Sequence, residues 1–160
     1  MAHGYLQHAR DWTVTRDAII RLAARLGRAF TYGELAAEIE DHDGLKIDGR
    51  GYAGALEAVA VHLHTTDPPW TAMVINGDTG EPGDGLWGAN PDDRRYADAG
   101  RLSKQGRKAW LEAQRNWCIA AARVTTDPLD LSLREDESST QDIAQDCLID
   151  LLLADHRREN

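Results

Sequence analysis

Cysteine is nearly absent: the chain has only Cys118 and Cys147, with no C-x-x-C pair. That excludes a disulfide framework and a thiolate metal cluster, and two isolated thiols fit a reducing, cytoplasmic setting. Nowhere does an apolar run approach the ~20 residues needed to span a bilayer, so no membrane partner is expected. Met1 to Leu6 lacks the charged start and apolar run of a secretory signal. His62 and His64, two apart on an expected helix, point to different sides and cannot act as an i, i+4 metal pair. Asp78, Glu81 and Asp84 share a glycine-rich loop but fail the spacing of a calcium-binding loop. That loop also lacks the G-K-[ST] of a phosphate cradle. Cys118 has no obvious histidine partner. With no catalytic set, metal site or cofactor motif in sight, the sequence points to a binding protein rather than an enzyme.

Charge is plentiful and unevenly placed. The net charge is −9. Residues 125–160 hold ten carboxylates against three arginines, a net −7, whereas residues 1–124 hold seventeen acids and fifteen bases, a net −2. A near-neutral body with an acidic tail suggests an interaction tail. The overall sign disfavours strong non-specific binding to DNA.

Periodicity organises the body into helices. Trp12 to Gly27 reads as an amphipathic helix, with Ile19, Leu22, Ala23 and Leu26 on one face and Arg21, Arg25 and Arg28 on the other. Gly27 sits where a C-terminal cap belongs. Thr31 and Glu34 form a capping-box pattern that opens a second helix through Leu35 and Ile39. A third helix is expected from about Arg50 to His64, with Tyr52, Leu56, Val59 and Leu63 as its buried stripe. Thr66-Asp67-Pro68-Pro69 ends it. Trp70 to Asn76 reads as a strand, residues 77–85 as turn, and Leu86-Trp87 as a short return strand, together a small β-hairpin. A longer helix is expected from Ser103 to Ala122, with Trp110, Ala113, Trp117 and Ala121 as its apolar face and Arg101, Lys104, Lys108 and Arg115 opposite. The expected division is a domain over 1–123, a linker over 124–140 and an acidic amphipathic helix over 141–160. In that last helix Asp142, Asp146 and Asp150 recur at i+4, and the many apolar residues, Leu151 among them, call for something to dock on.

Three short helices followed by a two-stranded ribbon is the order of a winged helix-turn-helix. The fold expected is therefore mainly α with a small β-hairpin, a winged-helix-like core with long C-terminal helices. Tyr32-Gly33-Glu34-Leu35-Ala36 resembles the T-Y-G-x-[LIV]-A opening of the DNA-binding domain of O6-alkylguanine-DNA alkyltransferases and the catalytically silent alkyltransferase-like proteins. Arg50-Gly51-Tyr52-Ala53-Gly54-Ala55-Leu56 resembles their R-A-V-G-x-A-L. Pro69-Trp70, followed by Val74-Ile75-Asn76, lies where they carry P-[CW]-H-R-V-[VI]-N. The resemblance implies that Tyr32 and Arg50 help turn a nucleotide out of a duplex, near Trp70. It does not extend to alkyl transfer: Trp70 stands near the acceptor position, and Thr71-Ala72-Met73 replaces the following His-Arg. The stretch from Met73 to Trp87 also resembles a segment of uncharacterised bacterial and mobile-element proteins, which implies a shared fold and no known activity.

The outward face of the third helix, with Arg50 and Glu57 as its charged residues, is a poor base-reading set. Phosphate contact is better expected from Arg101, Lys104, Lys108 and Arg115, near Arg94, Arg95 and Arg107. Asp142, Asp146, Asp150 and Leu151 are the candidate partner-binding residues, for a protein partner or for the basic face in cis as an autoinhibitory element. The reading is a DNA-associated or regulatory winged-helix binding protein with double-stranded DNA as partner. The alternative is an antitoxin-like or defence-complex adaptor without DNA contact.

Overall fold

The computed structural model describes residues 4–48, 51–88 and 90–126. The chain divides into two units, 1–126 and 127–160. The expected linker beyond Thr126 and the acidic helix, with Asp142, Asp146, Asp150 and Leu151, lie outside the described residues. The first unit is mainly helical with a few short strands.

Strand β1 (Gly4–Tyr5) is followed by α1 (Trp12–Leu26), which ends as its glycine dictates: Gly27 adopts φ 62° and donates its amide to Ala23 O. A left-handed residue closes the last turn at little cost only when it lacks a Cβ. Next come β2 (Phe30–Thr31) and α2 (Tyr32–Asp43). The capping box at the start of α2 is complete. Thr31 Oγ1 accepts from the Glu34 amide at 3.2 Å, and the Glu34 carboxylate accepts from the Thr31 amide at 2.8 Å. After β3 (Leu45–Lys46), helix α3 spans Tyr52–His62.

The chain departs from the expected hairpin at Trp70. Pro68 and Pro69 fix tight backbone angles, and Trp70–Met73 follows them as a fully buried 3-10 turn. Only Val74–Ile75 (β4) is extended, and it pairs parallel with β2, Phe30 opposite Val74 and Thr31 opposite Ile75. The glycine loop then closes on itself: Asn76 donates to Glu81 O and Gly80 to Asn76 O. Leu86 and Trp87 fall in a second 3-10 turn, Asp84–Gly88, rather than a return strand. Among the described residues there is no β-hairpin, because the strand's partner is the run-in to α2.

Helix α4 (Arg94–Gly100) has no counterpart in the sequence reading. Helix α5 spans Lys104–Thr126 and packs along α1. Its buried stripe is Leu111, Cys118 and Ala122, while Ala113 is exposed and Trp117 is 40 % exposed. Of the expected apolar face, Trp110 and Ala121 pack partly buried against the two clusters, whereas Ala113 and Trp117 turn outward. Bulky tryptophans attract the eye, yet small Ala122 and Cys118 allow close approach to α1.

Two apolar clusters hold the unit. The larger joins α1, α2, α3 and the Trp70–Met73 turn through Ile19, Leu22, Phe30, Ile39, Val59 and Met73. The smaller gathers Ala72, Leu86, Tyr96 and Leu111, tying the second turn to α4 and α5. Glu38, buried on α2, accepts from Arg21 at 2.7 Å and Arg25 at 2.8 Å, so these two arginines of α1 clamp α2 rather than stand free.

Candidate functional site

A cleft of about 310 Å³ opens where three segments of the chain meet. Tyr32 contributes from the first turn of α2, Leu56 and Glu57 from α3, and Thr71 and Val74 from the proline-initiated turn and β4; the loop over 82–88 closes the remaining side. This volume lies at the low end of the ~300–1,000 Å³ typical of small-molecule sites.

Local structure fixes the tyrosine. The capping box sets the first turn of α2, and the pairing of Thr31 with Ile75 ties that turn to β4. Arg28 adds a 2.7 Å contact to Glu34. The guanidinium and the Thr31 amide hold the Glu34 carboxyl down to about 2. Gly83 passes so close that a Cβ there would lie 2.9 Å from the Tyr32 hydroxyl. Behind Tyr32 sits Tyr52, with ring centroids 5.4 Å apart at 46°. The two rings make an aromatic wall.

Among the described residues the lining is mostly apolar, with Glu57 its one charged side chain. Among the described residues no cation pairs with this carboxylate. Thr71 and Tyr96 place their hydroxyls side by side without a well-formed hydrogen bond, and burial pushes the Tyr96 phenol up to about 12.

The other residues expected at a site are dispersed. Arg50 lies outside the described residues. Trp70 is only 6 % exposed and belongs to the larger core, so its ring is not open for stacking. Arg101 caps the end of α4, exposed and 4.0 Å from Asp98. Lys104 and Lys108 are exposed near the start of α5. Arg115 is different. It continues the buried stripe of α5, its Nε donates to Ala72 O at 2.8 Å, and its Nη2 is buried without a partner. Burial lowers the pKa of this guanidinium, an effect Glu81 partly opposes. The four bases therefore do not form one solvated face. Arg95 is likewise committed, to Asp93 at 2.6 Å and to the carbonyls of Asp67 and His64. Arg107 leans over Trp87 at 5.9 Å.

A second hollow, about 360 Å³, brings Arg28, Lys108 and Arg115 together with Glu81 and Glu112. Its mixed charge makes a weak anion site. Elsewhere Trp12 stacks on His62 at 4.5 Å with Arg16 above it at 5.0 Å, a contact between α1 and α3 that periodicity did not signal. Among the described residues no group of three His, Cys, Asp or Glu side chains is placed to hold a metal ion, and no helix is long and apolar enough to cross a membrane. Burial pushes the Cys118 thiol up to about 12, which keeps it from acting as a thiolate.

Of the three motifs read in the sequence, Tyr32–Ala36 reaches the cleft through Tyr32, Arg50–Leu56 through Ala53 and Leu56, and the segment from Pro69 to Asn76 through Val74. Glu57, one residue past the second motif, was read only as part of the outward face of the third helix. Comparison with protein-family models, curated proteins and solved structures finds no match to the chain.

Proposed function

We propose that the chain is a non-enzymatic, winged-helix-like binding protein that associates with DNA and receives a base turned out of the duplex in the Tyr32 cleft. One observation carries this reading. The three segments that resemble alkyltransferase-like proteins are far apart in sequence, yet they border a single cleft with a tyrosine at its wall. Extruding a base costs a few kcal/mol, which an aromatic wall and an apolar lining help offset. Arg101 at the end of α4, with Lys104 and Lys108 on α5, all exposed, are candidate phosphate contacts. With so few, affinity should be modest and salt-sensitive.

Fluorescence anisotropy of the full chain tests this, using duplexes that are fully paired or carry one unpaired base. Tighter binding of the unpaired duplex, lost in Tyr32→Ala with folding intact, is expected. Equal affinity for both duplexes in both proteins would overturn the reading.

A second reading, a protein adaptor without DNA contact, draws on the outward face of α5. There Ala113, Trp117 and Val124 are exposed in a row. Exposed apolar surface of this kind marks partner contacts. A concentration-dependent mass that Trp117→Arg abolishes, with no DNA binding by the full chain, would favour it.

A further inference from the structure

Charges of both signs converge on the second hollow, where the end of α1, the glycine loop and α5 meet. Lys108, Glu112 and Arg115 recur at i, i+4 and i+7 on α5 and so share one face of the helix, and Glu81 adds a second carboxylate from the loop. Opposite charges at this spacing could pair, yet among the described residues none of the four enters an ion pair. Lysine before glutamate is the weaker i, i+4 order, which helps keep them apart. Arg28, also at the hollow, is already held by Glu34 at 2.7 Å. Arg115 has the most to gain from a ligand. Its Nε donates to Ala72 O, while its Nη2 is buried without a partner among the described residues. A guanidinium in that state costs free energy that an anionic acceptor relieves.

A simple anion is repelled here by Glu81 and Glu112, and a simple cation by Lys108 and Arg115. A small molecule that carries both charges satisfies the set. The end of α1, capped by Gly27, borders the same hollow and adds the partial negative charge of a helix C-terminus, which favours an ammonium. Leu111 and Ile119 make part of the wall apolar. We propose that this hollow binds a zwitterion, a free α-amino acid with an aliphatic side chain. Its carboxylate lies on Arg115 and Lys108, its ammonium on Glu81 and Glu112, and its side chain against Leu111 and Ile119. The volume, about 360 Å³, is within the range of small-molecule sites. This inference is independent of the base-binding reading, since among the described residues the hollow shares none with the Tyr32 cleft.

Amide chemical-shift titrations of the full chain with L-leucine, N-acetyl-leucine and leucine amide separate the two ends of the ligand. N-acetyl-leucine keeps the carboxylate without the ammonium, and leucine amide does the reverse. Leucine is expected to bind at least about tenfold more tightly than either, the effect of losing one charge-assisted contact. Its shifts should gather at Gly80, Lys108, Glu112 and Asn116. Glu81→Gln combined with Glu112→Gln should bring leucine down to the affinity of N-acetyl-leucine. Lys108→Gln should weaken leucine without weakening leucine amide. All three positions are exposed, so the fold should survive these changes. Equal affinity for leucine and N-acetyl-leucine would reduce the hollow to an anion site and overturn the proposal. Shifts gathered at the Tyr32 cleft instead, or no binding of leucine at millimolar concentration, would overturn it too.

Discussion

Single residues show where local chemistry decides and where it does not. Thr31, Glu34 and Gly27 act through their own backbone neighbourhood, so their roles follow from spacing. Gly27→Ala places a Cβ at a left-handed φ and 2.6 Å from Arg123 Nη2. The arginine can move aside, whereas the backbone strain stays, so a loss of about 1 kcal/mol is expected from the urea midpoint. Arg115 shows the opposite case. Nothing in its immediate sequence reveals that its guanidinium turns inward to Ala72 O, because that carbonyl is supplied by a turn 43 residues away. Cys118 should resist a thiol reagent in the native protein and react on unfolding, as burial holds it protonated. Stoichiometric labelling of Cys118 in the native protein, located by mass spectrometry, would contradict its placement.

At the scale of elements, type was easier to read than phase or partner. The helix boundaries of α1 and α2 follow from caps and periodicity. The face of α5 followed only in part, because its stripe of Leu111, Arg115, Cys118 and Ala122 includes a long basic residue and Trp117 lies a residue away. The hairpin expectation failed for a related reason. Val74-Ile75 has strand character, but β pairing is a choice of partner, and Phe30–Thr31 offers a buried parallel edge that the glycine loop does not. The cap and this pairing meet at Thr31. Thr31→Ala should cost about 1 kcal/mol from the lost cap. Because the same residue carries Tyr32 to the cleft, unpaired-base affinity should fall with it. Thr31→Ser, which keeps the hydroxyl, should restore both. Stability and affinity unaffected by Thr31→Ala would contradict the coupling.

Across the whole molecule, the site was only partly legible. The three motifs could be found one by one, but that they border one cleft depends on the α2–β4 tie and on how α3 packs. The ion pairs that unite the helices set an acid limit. For Glu38, burial alone would raise the pKa, but Arg21 and Arg25 outweigh it and the net shift is downward; Glu34 falls to about 2. A carboxyl with a lowered folded pKa stabilises fully above its unfolded value, near 4.5, and that stability is lost as pH falls through the folded value. The Tm should therefore decline as pH drops from about 4.5 toward 2. Glu38→Gln should flatten the upper part of that decline; an unchanged profile would contradict the clamp. Glu34, being more exposed, should matter less. In DNA binding, two or three exposed bases should give a log–log salt slope of roughly −2 to −3.

The most direct test of the cleft as a DNA site is amide chemical-shift mapping of the full chain, titrated with a duplex that bears one unpaired base. The account predicts perturbations concentrated at Tyr32, Ala53, Leu56, Glu57 and Thr71, with smaller ones near Lys104 and Lys108. Perturbations confined to α5, or none at a duplex concentration that saturates anisotropy, would contradict it.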